Sequence, residues 1–404
     1  MKLADRARRI APSATMAAAA KAKELQRAGI PVIAFDAGEP DFATPAEVKA
    51  AGIDAISANF TKYTPVGGIP ELREAIAARL RADEGLDYAP DAIIVGNGAK
   101  EICFSLCQLL LQEGDEAIIP APYWVSYVEQ VRLAGAEAVI VDTTEESGFK
   151  LSPARLEEAI TARTRLLFLN SPCNPTGVVY SEEELRGLGA VLERHPDVTL
   201  LTDEIYKKIA YGPAHRAPSA AAVLRHLSDQ VVLVDGASKA YAMTGWRVGF
   251  AAGPRALIKA MRDLQSHSTS GTASISQKAA AVAFTMDQGE IERMRGEFER
   301  RRDAVVAGLN GIPGVRCATP DGAFYAFPNV QGALGQSYRG RGVETALDLV
   351  DYLLEEAHIS VVPGEAFGAP GYLRFSYATS MAQIEEGLRR MGAALAAREA
   401  VAAN

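Results

Sequence analysis

The sequence is poor in cysteine, and this scarcity excludes disulfide-built and cysteine-metal architectures. Its 404 residues include only four cysteines and no CxxC pair. Scattered cysteines in so long a chain argue against a disulfide framework and against a zinc site, so we expect no metal. Cys103 and Cys107 lie one helical turn apart and are interpreted as small buried residues rather than ligands. A reducing cytoplasm is therefore the expected compartment.

The sequence also lacks long apolar runs and any surplus of positive charge. No uncharged stretch reaches the roughly 18 residues that a membrane-spanning helix requires. With 42 basic against 50 acidic residues, the net charge is −8. Nucleic-acid backbones are bound by concentrated lysine and arginine, which this balance does not supply. We therefore expect neither a membrane nor a nucleic acid as a partner.

Short apolar runs alternate with helix-length amphipathic segments between about residues 90 and 255. The hydrophobicity of each run is continuous rather than alternating, which is typical of strands covered on both faces. The sequence thus predicts an α/β core around a seven-stranded, mostly parallel sheet. The seven runs are 92–95, 117–119, 138–141, 166–169, 199–202, 231–234 and 249–252.

The chain is too long for one compact core, so a second domain is expected. After residue 310 the pattern changes to strand-like pieces followed by a helix at 381–396, which indicates a smaller α+β domain. We divide the chain into 1–45, an N-terminal segment and part of the small domain, 46–300, the large domain, and 301–404, the small C-terminal domain. The glycine-rich stretch 331–343 is expected to be a mobile loop.

The strongest chemical signal is Lys239, in the segment SKAYAMTGWRVG that follows the run 231–234. Lysine is rarely buried without a task, and burial beside other cations lowers its pKa and leaves an amine that attacks carbonyl groups. Arg247, eight residues on, offers the bidentate fork that suits a phosphate dianion. A surface cation is the alternative for an isolated lysine, but this neighbourhood favours a catalytic amine.

A glycine turn, Gly96-Asn97-Gly98, opens a predicted helix that runs to Leu111. Unpaired N–H groups at a helix start form an anion site, so the backbones of Gly98, Ala99 and Lys100 are candidates for holding a phosphate. The turn lacks the third glycine of the GxGxxG dinucleotide fingerprint, which argues against NAD.

Four further residues are candidates that each have a structural alternative. Asp203 follows a predicted strand, where an aspartate is often only a helix cap. Asn174 stands between two prolines in NSPCNPTG, a rigid segment or an ordinary turn. Trp124 is placed to stack on a planar cofactor or to pack in the core. Arg374, inside an apolar strand, needs an anion, either a substrate carboxylate or an internal ion-pair partner.

Together these segments resemble the class I aminotransferases, which use pyridoxal 5′-phosphate, and most closely the bacterial aspartate aminotransferases of the aspartate/prephenate subgroup. The motifs SKAYAMTGWRVGF and NPTG are the most specific. The resemblance covers nearly the whole chain, through PSAT at 12–15, AGEPDF at 37–42, KYTP at 62–65, GGIPELR at 67–73 and VVPG at 361–364.

The resemblance implies the type I fold of pyridoxal-phosphate enzymes and a homodimer with shared active sites. It implies transfer of an amino group from an L-amino acid, aspartate first, to a 2-oxo acid, 2-oxoglutarate first, by a ping-pong mechanism with Lys239 as the Schiff-base lysine. Asp203 would pair with the ring nitrogen and keep it protonated, and Tyr206 would bond the phenolic oxygen of the ring.

The remaining roles also follow from the resemblance. The implied cofactor-binding set is Gly98, Ala99, Lys100, Trp124, Asn174, Asp203, Tyr206, Ser238, Lys239, Arg247 and, from the neighbouring subunit, Tyr63. The implied substrate-binding set is Gly38, Trp124, Asn174 and Arg374, which grips the α-carboxylate, with Ser13 and Thr15, as well as Lys100, near the distal carboxylate.

Two positions depart from the pattern of the family. Gly236 stands where many relatives carry a phosphate-binding serine, which leaves Ser238 to supply the hydroxyl. Ala11 stands where the bifunctional enzymes carry a basic residue, which argues against prephenate as a substrate. Alternatives that remain are an aromatic, alanine or specialised amino donor, a lyase, decarboxylase or synthase of the same fold, and a non-catalytic binding protein.

Overall fold

The computed structural model of the chain describes residues 1–4, 10, 14–212 and 215–399, and for 14–19 and 399 it describes the backbone only. Its helices are α1 (Ala14–Arg27), α2 (Ala46–Ser57), α3 (Pro70–Glu84), α4 (Ala99–Leu110), α5 (Ser126–Leu133), α6 (Pro153–Ala159), α7 (Glu182–Leu192), α8 (Ala220–Val223), α9 (Arg255–Ser266), α10 (Ser274–Thr285), α11 (Gly289–Asn310), α12 (Ala346–Tyr352) and α13 (Met381–Ala396). None of these described helices is long and apolar enough to cross a membrane.

The strands alternate with these helices through the first 250 residues and are shorter afterwards. They are β1 (Ile33–Ala34), β2 (Ile93–Asn97), β3 (Glu116–Ala121), β4 (Glu137–Asp142), β5 (Thr164–Asn170), β6 (Thr199–Asp203), β7 (Val231–Gly236), β8 (Val248–Ala252), β9 (Tyr325–Ala326), β10 (Gln336–Tyr338), β11 (Arg341–Val343), β12 (Ile359–Ser360), β13 (Val362–Pro363), β14 (Leu373–Ser376) and β15 (Arg398–Glu399).

The predicted seven-stranded sheet is confirmed, with one strand for each apolar run. Its order is β2-β8-β7-β6-β5-β3-β4. Only β8 runs against its neighbours, β2 and β7, and the other pairs are parallel. The carboxyl ends of β5, β6 and β7, which carry the candidate residues, therefore lie at one edge of the sheet.

Helices cover both faces of this sheet, which explains the continuous hydrophobicity of its strands. Leu200 packs in a core with residues of α3, α7 and α10, while Leu201, pointing to the opposite face, packs with residues of α4, α5 and α9. Helix starts are fixed locally: Ser181 and Glu184 form a capping box at α7, and Thr345 and Asp348 form another at α12.

A third core joins the start of the chain to its C-terminal part. It gathers Phe35 with residues of α11, β9, β14 and α13. Strand β1 pairs in parallel with β12, with Ile33 opposite Ile359. Helix α11 spans the predicted boundary at residue 300, and the division at 45 and 300 stays a prediction.

The expectation that 331–343 is a loop without regular structure is wrong. Residues 331–333 form a 3-10 turn, and β10 and β11 form an antiparallel hairpin that also pairs with β15. The Tyr338 side chain is buried and its hydroxyl donates to the Ala333 carbonyl over 2.9 Å. Burial of this ring outweighs the turn preference of the surrounding glycines.

Candidate active site

A cavity of about 520 Å³ lies at the carboxyl ends of the parallel strands. Open α/β sheets place their ligands at this edge because the strand-to-helix loops meet there. Most of the residues singled out from the sequence line it, namely Gly38, Ala99, Lys100, Trp124, Asn174, Asp203, Tyr206, Ser238, Lys239, Arg247 and Arg374.

Lys239 follows β7 and extends its amine into the cavity. Its Nζ donates to the Gly38 carbonyl over 2.5 Å and lies 5.7 Å from the centre of the Tyr206 ring. Burial lowers the pKa of this amine to about 8, and the nearby Arg374 and Arg247 guanidinium groups act in the same direction. Near neutral pH a usable fraction of Lys239 is therefore the uncharged nucleophile.

Asp203, the last residue of β6, is buried at the floor of the cavity. Its Oδ2 accepts a hydrogen bond from the Tyr127 hydroxyl over 2.6 Å, and its Oδ1 accepts one from the Ile205 N–H over 3.2 Å. Burial nevertheless raises the pKa of this carboxyl to about 6. A cation placed against it, such as a protonated ring nitrogen, would stabilise the carboxylate and lower that pKa.

The Tyr206 hydroxyl lies 2.9 Å from the hydroxyl of Tyr325. Tyr325 belongs to β9, so this pair joins the edge of the large sheet to the C-terminal part of the chain. Both rings are buried, and burial raises the pKa of each hydroxyl, which keeps both neutral hydrogen-bonding groups.

Arg374, on β14, is buried without a charged partner among the described residues. Its Nη1 donates to the Asn174 side-chain oxygen over 3.2 Å and its Nη2 to the Asp36 carbonyl over 2.8 Å. Its Nε has no hydrogen-bond partner within the described chain. The internal ion pair that the sequence left open is therefore not found there, and the guanidinium retains charge for an outside anion.

The glycine turn and Arg247 together form a small positively polarised corner. Gly98 precedes α4 with φ 82°, and a Cβ added there would lie 2.6 Å from Arg247 Nη2. Arg247 itself has φ 59° and donates to the Thr244 and Asn97 carbonyls. The guanidinium is thus fixed beside the first N–H groups of α4, an arrangement that suits a phosphate. Burial, and then Arg247, lower the pKa of Lys100.

The surrounding backbone explains why glycine stands at position 236. A Cβ added there would lie 2.7 Å from the Val248 carbonyl oxygen and 2.8 Å from the Gly249 Cα. Strands β7 and β8 pair at this point, with Gly236 opposite Gly249, so neither can move aside easily. Ser238 is the hydroxyl of this turn that reaches the cavity.

Tyr63 and Gly98 do not line the cavity of their own chain. Tyr63 is fully exposed and lies in a separate surface groove with residues 269–274. Ser13 and Ala11 lie outside the described residues, and only the backbone of Thr15 is described, at the start of α1. Gly98 shapes the turn behind the cavity wall formed by Ala99 and Lys100.

Sequence reasoning missed several residues that hold this site together. Tyr127 orients Asp203, and Tyr325 pairs with Tyr206. Asn170 accepts from the Asn174 N–H over 2.8 Å and donates to the Asp203 carbonyl over 2.9 Å. Asn170 had a signal, since it directly follows the predicted strand at 166–169, whereas the two tyrosines looked like ordinary core aromatics.

Fold and cavity together define an α/β enzyme that holds a reactive lysine beside an anion-binding turn and a free buried guanidinium. The model of the family "Aminotransferase class I and II" matches residues 30–391. The chain is 48% identical to the aspartate aminotransferase of Geobacillus stearothermophilus, over 98% of this chain and all of that protein. It is also 48% identical to a probable aspartate/prephenate aminotransferase of Rhizobium leguminosarum bv. phaseoli, over 96% of this chain and 97% of the relative.

Solved structures give the same family. The aspartate aminotransferase of Rhizobium meliloti superposes with a TM-score of 0.95 at 46% identity, covering 99% of this chain and 100% of the other. The enzyme of Thermus thermophilus with maleate superposes with a TM-score of 0.91 at 41% identity, covering 98% and 100%. The chain therefore belongs to the class I and II aminotransferases, and it is an aminotransferase.

Proposed function

We propose that this aminotransferase uses pyridoxal 5′-phosphate to transfer the amino group of L-aspartate to 2-oxoglutarate. The observation that carries the proposal is a lysine amine with a pKa of about 8 in the same cavity as the buried carboxylate of Asp203 and the guanidinium of Arg374. The relatives compared above include proteins named aspartate aminotransferase. The cavity offers suitable residues for the phosphate, the ring nitrogen and the phenolic oxygen of this cofactor.

The residues present fit the cofactor at each end. The N–H groups of Ala99 and Lys100, the Ser238 hydroxyl and Arg247 would hold the phosphate. Asp203 would hold the protonated ring nitrogen, Tyr206 and Asn174 the phenolic oxygen, and Trp124 the ring face. When bound, pyridoxal phosphate supplies an aldehyde that accepts the amino group and a ring that withdraws electrons from the substrate α-carbon.

The protein's own residues then perform three tasks. Arg374, aided by Asn174, binds the α-carboxylate and so orients the α-carbon of the substrate. The Lys239 amine takes the proton from that carbon and returns it in the reverse half-reaction, a role that suits a pKa of about 8. Asp203, oriented by the Tyr127 hydroxyl, would hold the proton on the ring nitrogen when the cofactor is bound.

A dicarboxylic substrate suits the charge of the cavity. Lys23, on α1, and Lys100, on α4, line it in addition to Arg374. A second carboxylate placed toward these lysines would be attracted to them. We propose that Ser13 and Thr15 assist there, and that prephenate is not a substrate because of Ala11.

The full site is proposed to require a second copy of the chain. Tyr63, whose side chain is fully exposed in a single chain, would bind the cofactor phosphate of its neighbour in a homodimer. The four cysteines are all free and buried, which suits a reducing compartment. We place the enzyme in the cytoplasm.

A single-turnover reaction with L-aspartate tests the proposed activity. Cofactor-loaded protein without an oxo acid should convert L-aspartate to oxaloacetate once per site and stop with the cofactor in its amine form. Addition of 2-oxoglutarate should then yield glutamate and restore the starting absorption. Release of ammonia or CO₂, or failure of every donor in a panel of amino acids, would refute the transaminase assignment; Lys239→Ala serves as the inactive control.

A further inference from the structure

A buried group of charges adjoins the cavity, and none of its four members lines the cavity itself. We call it the Lys207 cluster, and it consists of Lys207, Glu84, Glu204 and Asp235. The Lys207 Nζ lies 3.2 Å from Asp235 Oδ2, 3.7 Å from Glu204 Oε2 and 4.0 Å from Glu84 Oε1. The side chains of Lys207 and Glu204 are 3% and 1% exposed. A single ammonium thus faces three carboxylates where water is nearly excluded.

The carboxylates of this cluster belong to the segments that carry the catalytic groups. Glu204 directly follows Asp203, and its N–H donates to the Val234 carbonyl over 2.9 Å. Asp235 lies in β7, four residues before Lys239, and its Oδ1 accepts from the Gly236 N–H over 2.6 Å. The Lys207 ammonium therefore contacts both the end of β6 and the turn that leads to Lys239.

The hydrogen bonds of Glu204 involve only one of its two carboxylate oxygens, and the other oxygen faces Lys207. Glu204 Oε1 accepts from the Ser219 hydroxyl and the Ala220 N–H, but Glu204 Oε2 has no hydrogen-bond donor in the described chain. Lys208 turns outward to Asp83 on α3, over 2.5 Å. Among described cations, only Lys207 pairs with both Glu204 and Asp235.

Other charged groups face the cluster from the elements packed around it. Arg79 and Asp83 belong to α3, and Arg216 Nε lies 3.8 Å from Glu84 Oε1. The half-buried Tyr88 has a pKa raised to about 12, first by burial and then by the charge of Glu204, whereas the charge of Lys207 lowers it. Arg79 pairs with Asp83, and Arg216 lies near Asp83 and Glu84, so neither arginine joins β6 to the Lys239 turn.

We propose that Lys207 is a positioning residue for amino-group transfer, fixing the Asp203 and Lys239 segments relative to each other through Glu204 and Asp235. The proposal rests on the function proposed above. A buried ion cluster of this kind contributes little net stability compared with apolar packing, whereas removal of its one shared cation leaves unpaired buried carboxylates. Loss of Lys207 should therefore lower stability and also change the geometry and electrostatics of the site, and only the second change distinguishes a positioning role from a purely structural one.

Lys207→Met tests this role, with Lys208→Met as the matched control. The two lysines are adjacent, both pair with carboxylates, and only Lys207 contacts the site-bearing segments. In cofactor-loaded protein, Lys207→Met should move the pH midpoint of the cofactor's visible absorption by about half a unit or more. It should lower kcat about tenfold while KM changes less than about threefold, since a small misplacement of reacting groups is costly.

Lys208→Met should leave kcat and the pH midpoint of the cofactor's absorption at parental values. This should hold even if it lowers the melting temperature as much as Lys207→Met does. The double variant Lys207→Met/Asp235→Asn removes one ion pair without a net charge change and provides a folded test if the single variant fails to fold. The proposal would be overturned if the folded variant, single or double, kept the parental kcat and the parental pH midpoint of the cofactor's absorption. It would also be overturned if Lys208→Met changed both quantities as much as Lys207→Met does. Failure of the parent to transfer amino groups would instead refute the proposed function.

Discussion

Replacement of Tyr127 by Phe tests how the protein controls the charge of Asp203. The Tyr127 hydroxyl donates to Asp203 Oδ2 over 2.6 Å, and the carboxyl has a pKa of about 6. A hydrogen bond to a charged group contributes about 1.5–3 kcal/mol, and each pKa unit corresponds to about 1.4 kcal/mol. Loss of the hydroxyl should therefore raise the pKa of Asp203 by about one to two units.

The expected magnitude follows from the ionised fraction. With a pKa of about 6, about nine-tenths of Asp203 is ionised at pH 7 in the parent, whereas the variant should retain about a tenth to a half. If only the ionised form binds the cofactor ring, the Kd of the apo protein for pyridoxal phosphate should rise about two- to tenfold at pH 7. At pH 9 both proteins are mostly ionised, and the difference should nearly vanish.

The assay is equilibrium binding of the cofactor to apo protein at pH 7 and pH 9. Tyr180→Phe is the control, because the Tyr180 hydroxyl is also buried but binds the Leu151 N–H away from the cavity. Equal affinities of Tyr127→Phe and the parent at pH 7 would refute the reasoning. A deficit of the same size at both pH values would do so as well, since it would not arise from protonation.

Three further predictions concern the cavity. Arg374→Ala should lower kcat/KM for aspartate about 10- to 100-fold, because a charge-assisted contact to the substrate is lost. Steady-state kinetics measures this, with the exposed Arg255→Ala as the control. An unchanged kcat/KM would exclude Arg374 from substrate binding. Gly98→Ala should weaken cofactor binding and lower the free energy of unfolding by about 1 kcal/mol, because φ is 82° and the added Cβ would meet Arg247. A folded variant that binds the cofactor with wild-type affinity would contradict this. The rate of cofactor capture by apo protein should rise with pH through about 8, because the lowered pKa leaves Lys239 protonated below that value and free above it; a flat rate between pH 6 and 9 would contradict the assignment.

The sequence predicted those features that depend on local pattern. Continuous apolar runs located the seven strands, because a strand that is buried on both faces is hydrophobic at every position. Lys239 stood out because lysine is rarely buried without a task, and Arg247 and the Gly98 turn stood out because a guanidinium and the free N–H groups of a helix start suit an anion. The sheet edge on which the site lies followed from the parallel arrangement of the strands.

The sequence did not predict features that depend on contacts between distant segments. Tyr325 meets Tyr206 across 119 positions, and Tyr127 meets Asp203 across 76. Strands of two or three residues, such as β1 and β10, are too short to show a period. The Lys207 cluster is visible only when β6, β7 and α3 are packed together, since Lys207 and Lys208 look alike in sequence.

The identity of the cofactor-bearing lysine is tested most directly by reduction with borohydride. Purified protein incubated with pyridoxal 5′-phosphate, reduced, digested and analysed by mass spectrometry should carry one stable adduct per chain, on the peptide that contains Lys239. The parent should show it, and Lys239→Ala should not. An adduct distributed over surface lysines, or none on the Lys239 peptide, would contradict the account.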